Sequence, residues 1–306
     1  MRILNFGSLN IDRVYEVEHF VSGQETVLAK KYERFCGGKG LNQTIALARS
    51  GAEIFHAGAI GTDGAVLRRL LEENGVNTCY LKTSDTVSGH AIIQINPEGQ
   101  NCIIVSGGAN LDITREDIDR VLRNFGPSDL LLLQNEISNV GYAIRAAKEK
   151  GMQVAFNASP VTAEMQNYPI DLVDYLIVNE VEGRSLLGVP PCGYEELLRS
   201  LCGKYPSATV ILTVGENGSY WACGEKRLYQ GIYPVEVVDT TGAGDTFCGY
   251  FIAAIAAGKR PEDALQIASL ASSLTISRKG AAPSIPDREQ VAAFGRERGI
   301  PEELFS

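Results

Sequence analysis

Asp239-Thr240-Thr241-Gly242-Ala243-Gly244-Asp245-Thr246-Phe247 reads as the end of a strand, a glycine turn and the start of a helix. The expected strand runs from Gly231 to Val238, with Val235, Val237 and Val238 as β-formers. The expected helix runs from Thr246 to Ala257 and is apolar and alanine-rich. Gly242 and Gly244 let backbone N–H groups converge with no Cβ in the way. Together with the helix N-terminus they make a seat for anionic charge. A carboxylate, Asp245, beside that seat makes chemical sense where a proton and a phosphoryl group are handled together. A base takes a hydroxyl proton while N–H groups hold phosphate oxygens, which is the layout of phosphoryl transfer to an alcohol. An aspartate at this position also serves as a plain helix cap. The segment alone leaves the two readings level.

Outward from this motif, strands alternate with helices. Strands are expected at Ile3–Gly7, Glu53–Ile60, Leu130–Gln134, Gln153–Asn157, Tyr175–Val178 and Thr209–Val214. Helices are expected at Leu41–Arg49, Ala65–Asn74, Val140–Lys150, Glu195–Tyr205 and Pro261–Ser277. Such alternation implies a mostly parallel sheet with helices on both faces. Ligands in such folds sit at the carboxyl ends of the strands. Two stretches break the pattern. Arg13–Cys36 alternates β-type residues, and Val87–Val105 holds two strands joined by the turn Pro97-Glu98-Gly99-Gln100. They are expected to form a small separate sheet whose apolar face covers a ligand, a partner chain or both.

Composition narrows the function. The 306 residues carry a net charge of −9 at pI near 5.0 and 44% hydrophobic residues. No basic stripe exists for a nucleic acid. Seven cysteines in no C-x-x-C pair fit free thiols in a reducing cytoplasm. Three histidines, His19, His56 and His90, have no zinc-like spacing. Met1-Arg2 leads straight into the first strand, so no signal peptide is expected, and no window has the length of a membrane span.

The second motif is Gly37-Gly38-Lys39-Gly40-Leu41-Asn42-Gln43. It opens a helix, and its glycines let a ligand approach the backbone. Lys39 and Asn42 lie one turn apart. With Asn10 and Asp12 they offer the donors and acceptors that a polyhydroxylated ligand needs. It is not a Walker A loop, because Gly40 follows Lys39.

These two motifs, about 200 residues apart and in this order, resemble the signatures of the ribokinase family of PfkB-type sugar kinases. Gly7-Ser8-Leu9-Asn10-Ile11-Asp12, Leu133-Gln134-Asn135-Glu136 and Arg278-Lys279-Gly280-Ala281-Ala282-Pro283-Ser284 extend the resemblance from Ile3 to Pro286. It implies an α/β fold of three α/β/α layers, with residues 1–306 forming one domain. A β-sheet lid from about 13–36 and 87–105 is inserted in it. It further implies ATP-dependent phosphorylation of the 5-hydroxyl of D-ribose. Asp245 would be the base and the N–H groups of Gly242, Ala243 and Gly244 the anion hole. Asn10, Asp12, Gly38, Lys39, Asn42 and Glu136 would contact the sugar. Asn179, Thr213, Gly215, Gly218 and Ser269 would line the ATP site, and Glu182 would act on Mg²⁺ indirectly. A K⁺ ion would bind to Asp239, Thr241, Thr275, Arg278, Gly280 and Ser284. The family also implies a cytoplasmic homodimer joined through the lid.

Some positions depart from the family pattern. Leu41 replaces a usual alanine and is expected to face helix packing or the sugar pocket. Thr44, Val66 and Ser269 also differ. None removes a catalytic group. Alternatives remain: a kinase for deoxyribose, another furanose or keto sugar, or a nucleoside, and a non-catalytic sugar- or nucleotide-binding protein on the same fold.

Overall fold

The computed structural model describes residues 1–305. The chain opens with β1 (Arg2–Phe6), β2 (Asn10–Glu16), β3 (Lys31–Gly37), α1 (Lys39–Arg49), β4 (Ile54–Ile60), α2 (Ala65–Glu73), β5 (Asn77–Thr83), β6 (Gly89–Ile95) and β7 (Asn101–Ser106). The middle holds α3 (Arg115–Leu122), β8 (Asp129–Gln134), α4 (Val140–Glu149), β9 (Gln153–Asn157), β10 (Tyr175–Asn179), α5 (Glu180–Leu187) and α6 (Tyr194–Lys204). It closes with β11 (Thr209–Thr213), β12 (Ser219–Cys223), β13 (Lys226–Gln230), α7 (Ala243–Ala256), α8 (Pro261–Ile276) and α9 (Arg288–Arg296).

The large sheet has nine strands in the order β13-β12-β11-β10-β9-β8-β1-β4-β5. From β11 to β5 every pairing is parallel, and only the β11–β12 and β12–β13 pairings are antiparallel. β8 shows how the sequence forces a layer onto each face. Leu130 and Leu132 join the core with α1, α7 and α8, whereas Leu131 and Leu133 join the core with α3, α4 and α6. A strand buried on both sides reads as a continuous apolar run, which is why it was legible.

The small sheet is β3-β2-β6-β7, with β2 and β6 parallel and the outer pairings antiparallel. Its strands run a little beyond the expected segments at Asn10, Gly37 and Ser106, while β6 begins at Gly89, within Val87–Val105. Only Gly7, Ser8 and Leu9 separate the carboxyl end of β1 from β2, so this sheet stands directly over the strand ends of the large one.

One expected element is absent. Gly231–Val238 is not a strand; the strand is β13, Lys226–Gln230. Pro234 lacks an N–H for a ladder. Beyond Gln230 the chain turns toward α8, where Gly231 O accepts from Ser269 Oγ and Tyr233 Oη from Gln266 Nε2. α7 also begins at Ala243, three residues before the expected start, so Asp245 lies within its first turn.

Candidate active site

Two helix N-termini meet above the sheet. α1 starts one residue after Gly38, and its Leu41 N–H donates to Ser8 O at 2.9 Å. That contact needs a glycine at 40, where a Cβ would stand 2.3 Å from Ser8 N. α7 starts after Gly242, whose φ of 78° is the left-handed conformation that favours glycine. Among the described residues, the N–H groups of Gly242 and Gly244 meet no protein acceptor, and that of Ala243 closes a long 3.3 Å turn on Thr240 O. Ser272 Oγ donates to Ala243 O at 3.1 Å and fixes the turn from behind.

Asp245 projects from α7 toward α1. Its Oδ2 accepts from Asn42 Nδ2 and its Oδ1 from Gln43 Nε2, both at 2.9 Å. Lys39 lies in the field of Asp245, Glu136 and Glu182. Burial lowers its pKa, but these three carboxylates outweigh that and leave it raised. The ammonium therefore stays charged at neutral pH.

The residues expected to contact the sugar surround the same point. Glu136 Oε2 accepts from Ser8 Oγ and, at 3.0 Å, from Lys39 N. Burial pushes the Glu136 carboxyl up despite those donors. Asp12, on β2, is pushed up to about 6 by burial and then by Glu136. Two acids held with raised pKa values in a cleft mark a site where a ligand supplies the missing donors. Asn10 Oδ1 accepts from Asn110 Nδ2 at 2.8 Å. Leu41 is wholly buried in the core with α7, so of its two expected surroundings the helix packing is the one found.

On the other side of Asp245 lie two adjoining cavities. The smaller, about 220 Å³, is lined by Lys39, Asn157, Asn179, Glu182, Thr213, Gly242, Ala243, Gly244 and Asp245. The larger, about 770 Å³, is lined by Thr213, Gly215, Gly218, Ser269, Ser273, Ile276, Phe247 and residues 232–235. The first has the size and donors for a phosphoryl group, the second the size and mixed lining for a nucleoside. The misread segment 231–238 thus becomes a wall of the larger cavity.

Asn179 and Glu182 form a capping box at the start of α5. Asn179 Oδ1 accepts from Glu182 N at 2.8 Å, and Glu182 Oε2 from Asn179 N at 2.9 Å. The cap anchors Glu182 at the wall of the smaller cavity. Among the described residues no group of three His, Cys, Asp or Glu side chains is placed to hold a metal ion. A single carboxylate fits Mg²⁺ that arrives on nucleotide phosphates and keeps its waters.

Asp239 ties two loops together. Its Oδ1 accepts from Thr241 N and Oγ1 at 2.9 and 2.6 Å, and its Oδ2 from Gly280 N at 2.8 Å. Burial alone would raise its pKa, but these donors hold it below the usual carboxylate value. Thr275 O accepts from Arg278 N, and Ser284 Oγ donates to Ala281 O. The donor set here is oxygen only, with one formal charge, which suits a hard monovalent cation.

Several contributors escaped the sequence reading. Gln43 and Gln134 stood in the quoted motifs without a role, and Asn110, Asn157 and Ser272 were not singled out. Their signal is weak, because a buried amide looks like any other polar residue until its partners are known.

The fold and this cleft define a carbohydrate kinase. The chain belongs to the pfkB family of carbohydrate kinases, whose family model matches residues 2–288. It is 35% identical over 301 residues to a ribokinase of Staphylococcus aureus strain COL, covering 95% of this chain and 98% of that one. It is 32% identical over 298 residues to a deoxyribokinase of Salmonella typhi, covering 95% and 97%. The solved structure of Arabidopsis thaliana ribokinase complexed with ribose and ATP matches with a TM-score of 0.85 at 32% identity, covering 96% and 98%. No helix among the described residues is long and apolar enough to cross a membrane.

Proposed function

We propose that this chain is an ATP-dependent ribokinase that transfers the γ-phosphate of ATP to the 5-hydroxyl of D-ribose. The observation that carries the reading is Asp245, in the first turn of α7 beside the N–H groups of Gly242 and Gly244 and oriented through both of its oxygens. Ribose lies under the small sheet, which works as a lid, against Asn10, Asp12, Gly38, Lys39, Asn42 and Glu136. The nucleoside of ATP occupies the larger cavity, with Thr213, Gly215, Gly218 and Ser269 in its walls. Its terminal phosphate points into the smaller one.

Asp245 takes the hydroxyl proton as the new O–P bond forms and the bond to ADP breaks. An aspartate suffices, because the transition state is loose and the proton leaves late. The N–H groups of residues 242–244 and the Lys39 ammonium receive the charge on the transferring group. Asn179 and Glu182 would hold Mg²⁺ on the protein side, indirectly in the case of Glu182, and the ion would supply charge neutralisation for the nucleotide phosphates. K⁺ beside the anion hole would be held by Asp239 and Ser284 and by the carbonyls of Thr241, Thr275, Arg278 and Gly280. The enzyme acts in the cytoplasm as one domain per chain, paired into a homodimer through the lid.

The likeness to a deoxyribokinase supports deoxyribose as the second reading. ADP release with Mg²⁺–ATP and a panel of pentoses, hexoses and nucleosides, with and without K⁺, separates the two. The expected result is the highest kcat/KM with ribose, raised by K⁺. Preference for deoxyribose would transfer the assignment to the second reading, and turnover with neither sugar would overturn both.

A further inference from the structure

A continuous set of buried amides lies behind Asp245. Asn5, Gln43 and Gln134 are all fully buried. Gln134 Nε2 donates to Asn5 Oδ1 at 3.0 Å and to Gln43 Oε1 at 2.7 Å. Gln43 Nε2 donates to Asn157 Oδ1 and to Asp245 Oδ1, both at 2.9 Å. A side-chain amide can usually be turned over without changing its shape, so its polarity has to come from its partners.

Here both ends are anchored on backbone carbonyls, which can only accept. Asn5 Nδ2 donates to Gly40 O at 2.8 Å, so Asn5 Oδ1 must face Gln134. Asn157 Nδ2 donates to Ile177 O at 3.2 Å, so Asn157 Oδ1 must face Gln43. Between these anchors only one polarity leaves every donor on an acceptor. In it the Gln43 NH₂ group points at Asp245. Reversing Gln43 would set its carbonyl oxygen against Asn157 Oδ1 and Asp245 Oδ1 and face its NH₂ with that of Gln134. In a buried site each such clash costs more than the bond it replaces is worth.

We infer that Gln43 is a positioning residue for phosphoryl transfer, its amide polarised by Gln134, Asn5 and Asn157 so that one N–H always holds Asp245 Oδ1. Asn42 holds the other oxygen from the same turn of α1, so the carboxylate plane is fixed by two donors. Helix α7 is thereby registered against α1 at the atom that receives the proton. The device acts on the chemical step and not on binding, since Gln43 lies beneath the carboxylate and is buried from either substrate. A shared reading underlies this one: that Asp245 is the base.

The test compares Gln43→Met with Thr44→Val. Thr44 is equally buried, and its hydroxyl bonds to Asn5 and His56 but makes no hydrogen bond to Asp245 or to the Gln43 amide, while the Asn5 anchor on Gly40 O stays in place in Thr44→Val. Both variants lower Tm. Gln43→Met is expected to lower kcat about 10- to 100-fold with KM for sugar and for ATP within about threefold, whereas Thr44→Val keeps kcat within about threefold. If Gln43→Met folds poorly, Gln134→Leu takes its place and lowers kcat in the same direction with both KM values held. Equal kcat losses in the two variants, or a loss in Gln43→Met that appears in KM alone, would overturn the inference. A wild-type protein without turnover would overturn the kinase reading instead, which keeps the two failures distinct.

Discussion

β7 and β8 are both six-residue strands built around four apolar side chains, yet they meet opposite surroundings. In β8, Leu130, Leu131, Leu132 and Leu133 are 0% exposed. In β7, Ile103, Ile104 and Val105 are 50%, 62% and 65% exposed. Apolar sequence specifies burial but not the thing that does the burying. β8 finds its cover within the chain, on both faces. β7, at the open edge of the small sheet, finds no such cover among the described residues, and the proposed second copy of the lid would supply it. In the proposed account the large sheet carries stability and the catalytic base, and the small one carries closure, assembly and the sugar contacts Asn10 and Asp12.

Substitution can break this contrast. Leu132→Asp should leave no folded protein, because an unpaired buried charge costs more than about 4 kcal/mol. Ile104→Asp should keep the far-UV circular dichroism of the wild type. It should lower the mass seen by light scattering from dimer to monomer. A dimer that survives Ile104→Asp would remove the lid from the proposed interface. Gly242→Ala tests the large-sheet side at the active site. Its positive φ and a Cβ 3.2 Å from Ala281 Cα should cost about 1–2 kcal/mol of stability. The same change should lower kcat by about 10-fold or more as the anion hole moves. Urea unfolding and steady-state kinetics measure the two effects.

Asp12 sharpens the contrast from the side of the small sheet. Its carboxyl is pushed up to about 6 from an ordinary value of 3.8, so the ionised form is disfavoured in the fold. The resulting destabilisation is absent below pH 3.8 and complete above about pH 6. Asp12→Asn should therefore raise stability at pH 8 by about 1–3 kcal/mol and give no gain at pH 3.5. In the wild type, KM for ribose should climb as pH falls through 6 and Asp12 takes up a proton. A KM that is flat between pH 5 and 8 would separate Asp12 from sugar binding.

The contrast also marks what the sequence made legible. Six of the seven parallel strands declared themselves as apolar runs, because burial on both faces leaves little room for polar residues, as in Leu130–Leu133; the seventh, the edge strand β5 with Asn77, Thr78, Lys82 and Thr83, was not expected. β13 did not declare itself either, since Lys226, Arg227 and Gln230 sit on an edge strand where charge is tolerated. The neighbouring valines at 235, 237 and 238 looked more like a strand but wall the larger cavity or flank it, with Val237 and Val238 more than half exposed. At the site, glycine turns and the acids beside them were visible because backbone geometry and charge restrict which residue can stand there. The amides behind Asp245 were not, because their meaning lies in contacts between positions 5, 43, 134 and 157, far apart in the chain.

The most direct measurement is ribose-dependent ADP release by wild type and by Asp245→Asn at saturating ATP and Mg²⁺. Asparagine keeps the size of the side chain but cannot take the proton. The account predicts robust turnover by the wild type and a kcat lower by about 10³-fold in the variant, with nucleotide binding by calorimetry retained. A variant within tenfold of the wild type would contradict the assignment of Asp245 as the base.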